Sequence, residues 1–188
     1  MKNEIKIISF YLPQFHVIPE NDEWWGKGFT DWNNVRKGFV YLKGQEQPRV
    51  PLNDNYYDLT DIDTLRWQAD LMAKYNIYGQ CFYHYWFDGK LLLEKPSELL
   101  LENKDIPIRF CFSWANEPWA RTWDGKNHCV LMPQKYGGKK DWRKHFDYLL
   151  PFFKDERYIK ENDCPMFIIY KSSSIEDCGE MMENWNQL

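Results

Sequence analysis

Apolar residues recur along this chain in two alternating rhythms. Ile5, Ile7 and Ile8 lead into Phe10 and Tyr11, and Pro13 ends the run, so 5–11 reads as a first strand. The spacing of Leu65, Ala69, Met72 and Ala73 predicts a helix over 61–75, with Thr60 and Asp63 as a capping-box-like start. A second strand is expected over 78–85, and a short helix near 96–103 with Pro96 suited to its first turn. Ile108, Phe110 and Phe112 alternate with Arg109 and Cys111 as a third strand. Trp142, Phe146, Leu149, Leu150 and Phe153 predict a helix over 141–153. Met166, Phe167, Ile168 and Ile169 fill a fourth strand over 165–170. Ser174 is the expected cap of a last helix, with Asp177 three residues on and Met181, Met182, Trp185 and Leu188 on one face.

Strand then helix, four times over, implies βαβ crossovers and a parallel sheet, so the expected class is α/β. The polar and aromatic clusters all follow strands. The first connection, 12–60, is too long for an ordinary βα loop. It carries Gln14, His16, the aromatic run Trp24, Trp25, Phe29 and Trp32 and then Gln47, Pro48 and Arg49, and it is too aromatic for disorder. The second strand exits through His84, Tyr85, Trp86, Phe87, Asp88 and Gly89. The third exits through Trp114, Asn116, Glu117, Trp119, Arg121, Trp123 and Asp124, a set suited to a flat, hydroxyl-rich ligand. Barrels and open α/β sheets both place their sites on this rim. No glycine-rich nucleotide fingerprint follows a strand, which favours a (β/α) barrel of TIM type. Four βα units make half of such a barrel, whose usual size is about 250 residues. The expectation is therefore one unit over 1–188, the N-terminal half barrel, either truncated or paired with another copy or with a C-terminal half, since open strand edges are a liability.

Composition narrows the classes. Ten Trp, twelve Tyr and twelve Phe in 188 residues exceed the needs of a core, so some should line a cleft. The net charge of −4 and the lack of a basic stripe argue against a nucleic-acid partner. No apolar run approaches membrane-spanning length, and no signal-peptide pattern precedes the first strand. The five cysteines, Cys81, Cys111, Cys129, Cys164 and Cys178, are odd in number and lack a CxxC, which points to reduced thiols and a cytoplasmic setting.

Four blocks carry a resemblance: YLPQFH at 11–16, PENDEWWGKGFTDW at 19–32, FYHYWFDGK at 82–90 and WANEPWARTWDG at 114–125. Together they resemble the WbsX-type proteins of bacterial polysaccharide biosynthesis, often described as glycosyltransferases, which in turn resemble the glycoside hydrolase family 99 endo-mannosidases. The resemblance implies a (β/α)8 barrel and an oligosaccharide or polysaccharide substrate. It also implies that the catalytic carboxylate pair sits in a later NEW-x-EG-like segment, which these residues do not contain. Pro118 departs from the family, which more often has a non-proline there.

Each candidate residue has a competing structural role. Glu117 is the candidate for chemistry, as a desolvated acid, or else it binds hydroxyls or pairs with Arg121. Glycoside chemistry generally uses two carboxylates, and spacing selects neither Asp31 nor Asp88 as the second. Trp86 and Trp114 are the tryptophans expected to face ligand; Trp24, Trp25, Trp119 and Trp123 either stack on sugar or pack the rim. His16 and His84, with Tyr83 and Tyr85 beside the latter, either contact substrate or are satisfied by backbone. His16, His84, His128 and His145 lack metal-ligand spacing, so no metal is expected, and no cofactor. Asp61-Ile62-Asp63 matches the DxD of sugar-nucleotide transferases but opens a helix, where acidic residues are stabilising anyway. The expected substrate site comprises Tyr11, Gln14, His16, Tyr83, His84, Trp86, Trp114, Asn116, Trp119 and Arg121 around Glu117. The expected function is glycosyl transfer in cell-surface polysaccharide biosynthesis. The alternatives are an endo-glycosidase of mannosidase type and a non-catalytic carbohydrate-binding half barrel or inactive remnant.

Overall fold

The computed structural model of the protein describes residues 5–46, 50–121 and 129–188. Gln47, Pro48, Arg49, Trp123, Asp124 and His128 therefore lie outside the described residues. The fold is mixed α/β around a parallel sheet. In chain order the elements are β1 (Ile8–Tyr11), α1 (Pro19–Trp25), α2 (Asp31–Arg36), α3 (Ile62–Lys74), β2 (Gly79–Phe87), β3 (Lys90–Leu92), α4 (Lys95–Glu102), β4 (Phe110–Trp114), β5 (Trp119–Ala120), β6 (Val130–Met132), α5 (Lys139–Phe153), β7 (Lys160–Glu161), β8 (Cys164–Pro165), β9 (Phe167–Ile169) and α6 (Cys178–Asn186).

The main sheet runs β1-β2-β4-β9, all parallel, with β3 folded back antiparallel onto the end of β2. The two central strands are almost wholly buried, as the middle strands of a parallel sheet are. In β2 only Tyr83 is partly open, and every residue of β4 is buried. The core lies between this sheet and the helices, around Phe82, Phe110, Phe112, Trp114, Leu149 and Phe152. Gly79 is required by close approach. A Cβ there would stand 2.8 Å from the Arg109 carbonyl oxygen and 2.7 Å from Ile159 Cδ1.

Several boundaries differ from the sequence reading, each for a physical reason. The second strand runs on to Phe87 because β3 gives its far end a partner. The long first connection folds into two short helices, α1 and α2, stapled by Trp32, whose Nε1 donates to the Tyr57 carbonyl at 2.8 Å. The cap of α3 is Asp61, not Thr60: the Asp61 carboxylate accepts from the Asp63 N–H at 3.0 Å, while the Thr60 hydroxyl donates to Asp58. Acidic residues at 61 and 63 thus serve the helix start. Ser174 ends a short 3-10 turn, and α6 begins four residues later.

The fourth strand is interrupted. Residues 157–159 first pair with the start of β4, through Phe110 N–H to the Arg157 carbonyl and Ile159 N–H to the Phe110 carbonyl. The β7–β8 hairpin then leaves the sheet, turning through Asn162 and Asp163 at positive φ. Phe167 resumes the pairing opposite Phe112. Among the described residues no helix is long and apolar enough to cross a membrane.

Candidate functional site

Strand alternation divides the residues of β2 between two surroundings. His84 and Trp86 face α5, where His145 stacks on Trp86 at 4.6 Å and lies 5.0 Å from the His84 ring, and Phe82 on the same side packs against Tyr11 and Phe110. Tyr83 and Tyr85 face the other way. Tyr83 stacks on Phe10 of β1 at 5.6 Å and lies 6.5 Å from the Tyr85 ring. On this second face a cleft of about 310 Å³ opens beyond the carboxyl ends of the strands. Leu12 and Gln14 line it from behind β1, Tyr83 and Tyr85 from β2, Ala115 and Glu117 from behind β4, and Tyr170 from behind β9. Sites of α/β sheets are built at these strand ends.

The cleft offers stacking surfaces and convergent polar atoms. The Gln14 Nε2 group donates to the Tyr85 hydroxyl at 3.3 Å. Burial pushes the Tyr85 hydroxyl above the usual phenol range, with the Gln14 bond pulling it back and Tyr83 and Asp31 adding to the rise. Tyr85 is thus a protonated donor at neutral pH. Burial also raises the Asp31 carboxyl, at the start of α2. Glu117 is half exposed, and its Oε1 pairs with Lys171 Nζ at 3.1 Å. Behind them Asn116 is fully buried. Its carboxamide donates to the Lys171 carbonyl at 2.9 Å and accepts from the Lys171 N–H at 2.8 Å.

Of the residues expected from sequence, Gln14, Tyr83 and Glu117 meet in this cleft. Trp119 and Arg121 stand on its flank. Trp119 packs edge-on to Tyr85 at 5.0 Å and to Trp24 at 5.8 Å. Arg121 lies over the Trp25 ring at 5.0 Å, and its guanidinium donates to the Trp24 carbonyl, so it ties α1 to β5 rather than pairing with Glu117.

Five others are directed into the interior. Trp114 is 1% exposed and donates to the Trp86 carbonyl at 3.2 Å, while Trp86 is 4% exposed and donates to Asp141 at 3.1 Å. The expectation that these two rings face ligand is corrected: strand parity aims both at α5. His84 is buried on the same side, its Nε2 2.8 Å from His145 Nε2, with burial pushing its pKa down to about 3. His16 is buried and likewise lowered, chiefly by burial. The Tyr11 hydroxyl is committed to Gln68 Oε1 at 2.7 Å. Of the two roles open to Glu117, the half-exposed carboxylate beside a lysine fits the binding role rather than that of a desolvated acid, and its ion-pair partner is Lys171 in place of the expected Arg121.

The sequence reading missed Tyr170 and Lys171 and left Tyr85 out of the site. Parity from Tyr83 picks out Tyr85, but Tyr170 and Lys171 become visible only through the β4–β9 register. Among the described residues no cluster of three or more His, Cys, Asp or Glu side chains is arranged to hold a metal ion.

The family model described as Glycosyltransferase WbsX matches residues 7–188. The chain belongs to the WbsX glycosyltransferase family. This WbsX-family chain is 40% identical over 179 residues to the uncharacterized protein WxcX of Xanthomonas campestris pv. campestris, in two strains. The match covers 95% of this chain and 26% of WxcX, so the chain spans about a quarter of that relative's length. Among solved structures it is similar to the GH99 endo-alpha-mannosidase of Bacteroides thetaiotaomicron. The complex of that enzyme with BIS-TRIS-Propane gives a TM-score of 0.53 at 16% identity, covering 91% of this chain and 43% of the enzyme's. A second structure of it gives 0.51 at 16% identity, covering 89% and 45%. At that identity the likeness is one of fold.

Proposed function

We propose that the cleft binds a saccharide and that the chain supplies one wall of a carbohydrate-active site in bacterial cell-surface polysaccharide biosynthesis. The observation that carries this is the cleft itself. Three tyrosines, an amide and a carboxylate converge at the carboxyl ends of parallel strands in a WbsX-family chain. Tyrosine faces suit the apolar C–H faces of sugar rings, and Gln14, Tyr85 and Glu117 supply the few polar groups that orient a ligand.

In this reading residues 1–188 are the N-terminal half of a (β/α)8 barrel, with β1 and β9 as the edges that the remaining strands close. Coverage of under half of a solved enzyme chain supports that. The chemistry is glycosyl transfer, and the chain's share of it is grip. Glu117 is the one carboxylate lining the described cleft, whereas glycoside chemistry generally uses two. Neither Asp31 nor Asp88 is among the residues that line the cleft. Asp88 sits in the tight β2–β3 turn at positive φ. A second reading, endo-glycosidic hydrolysis, is favoured by the likeness of fold to the endo-alpha-mannosidases. The cytoplasmic setting is supported by Cys81 and Cys111, which face each other in adjacent strands as unpaired, buried thiols.

Glu117→Gln in the full-length protein tests the site. The account expects saccharide affinity to fall roughly tenfold, about 1.4 kcal/mol. Affinity and rate both at the unsubstituted level contradict the placement of Glu117. Incubation with an α-mannan, with and without sugar nucleotides, separates the two chemistries: a shortened polymer means hydrolysis, and an extended one means transfer.

A further inference from the structure

We propose that Glu117 and Lys171 read a vicinal diol of the bound sugar as one unit, with Asn116 as the positioning residue that sets their separation. This rests on the saccharide reading above and adds to it a feature of the substrate.

Glu117 follows β4 and Lys171 follows β9, and their charged atoms stand 3.1 Å apart with both side chains about half exposed. Exposed ion pairs contribute little to stability, so the fold has no need of this one. Asn116 is a different matter. It is 0% exposed, and a buried amide is costly unless every polar atom is bonded. Both ends of its carboxamide go to the Lys171 backbone, at 2.9 and 2.8 Å. These are the two bonds a strand neighbour would make, placed where the β4–β9 ladder has ended at Trp114 and Ile169. The Tyr136 hydroxyl holds the same residue from behind, donating to the Asn116 carbonyl at 2.9 Å. A fully committed buried residue thus fixes an exposed lysine opposite an exposed glutamate.

The pair sets an acceptor-only group beside a donor-only group. A hydroxyl is both. Two hydroxyls on neighbouring ring carbons, in gauche arrangement, have their oxygens about as far apart as the two charged atoms. One then donates to the Glu117 carboxylate while the other accepts from the Lys171 ammonium, and the sugar ring lies toward the tyrosine-lined side of the cleft. The substrate class is a pyranoside with a free gauche diol. A deoxy sugar lacking either hydroxyl loses its hydrogen bond to one of the two charges.

The test is calorimetric titration of the full-length protein with α-mannobiose and its monodeoxy analogues. Lys171→Met keeps the apolar stem at an exposed position, so folding is not at stake. It is expected to lower affinity about tenfold and to abolish the penalty that the unsubstituted protein shows for removal of the diol hydroxyls. Asn116→Leu is expected to lower affinity when Lys171 is present and to have no further effect on it in the Lys171→Met background, while lowering the melting temperature equally in both. Asn116→Asp, which keeps the acceptor for the Lys171 N–H, should recover part of the affinity. The proposal is overturned if Lys171→Met binds as the unsubstituted protein does, if the deoxy penalties persist in it, or if Asn116→Leu weakens binding equally in both backgrounds. Failure of the unsubstituted protein to bind any of these sugars overturns the saccharide reading, and this proposal with it.

Discussion

Tyr83 and His84 are consecutive, yet one lines an open cleft and the other is sealed under α5. His84 and His145 touch through their Nε2 atoms at 2.8 Å, so one ring must donate and the other accept, which excludes protonation of both rings together. Burial lowers both pKa values, and the His84 ring lowers that of His145 further. The unfolded chain protonates these histidines near pH 6.5, while the folded chain holds His84 neutral down to about 3. Stability is therefore fully present above pH 6.5 and is lost as pH falls toward 3. With two such groups the loss steepens below pH 6.5 toward roughly 2–3 kcal/mol per pH unit. Urea unfolding at pH 7.5, 6.5 and 5.5 checks this: the midpoint should fall only slightly across the first step and steeply across the second. The same pair shows where the sequence stops being legible. The aromatic block at 82–87 plainly marks a strand exit, but nothing in it says which parity faces ligand. That is decided by α5, sixty residues on, and it removed Trp86, Trp114 and His84 from the expected site.

At the scale of elements, the repeating strand–helix order was legible because apolar periodicity is a local signal. The β2–β3 hairpin and the interrupted fourth strand were not, because each depends on a partner distant in sequence. Arg157 is an example. It reads as an ordinary charged residue, yet its guanidinium donates to the Leu100, Asn103 and Ile106 carbonyls and to both oxygens of Asp155. It closes the C-terminal end of α4, where a cation is favoured, and joins it to the segment that pairs with β4. Its side chain is 12% exposed and that of Asp155 3%. Arg157→Met would strand a buried carboxylate and three carbonyls, so a loss of about 3–5 kcal/mol is expected in chemical denaturation. Gly79→Ala tests the sheet itself. Its Cβ meets the Arg109 carbonyl, which already accepts from the Gln80 N–H, so β2 and β4 must move apart. The expected cost is about 1–3 kcal/mol, read as a lowered melting temperature.

For the whole molecule, the four parallel strands leave two sheet edges unpaired among the described residues. Phe10 and Leu12 are exposed along β1 and its exit, and Tyr170 and Ile168 along β9 and its exit. Unpaired parallel edges with apolar side chains recruit other strands. Residues 1–188 expressed alone should therefore bind a hydrophobic dye and elute as associated species in size-exclusion chromatography with light scattering. A dye-silent monomer at every concentration would contradict the half-barrel account. The α/β class was readable from the apolar periodicity and the family resemblance from the four sequence blocks; the cleft face was not, because it exists only once the sheet is assembled. That face is the central claim, and one titration addresses it. α-Mannobiose is titrated into the full-length protein carrying either Tyr83→Ala, on the cleft face, or Trp86→Phe, on the helix face. The account predicts roughly tenfold weaker binding for Tyr83→Ala and unchanged binding for Trp86→Phe; the reverse pattern would contradict it.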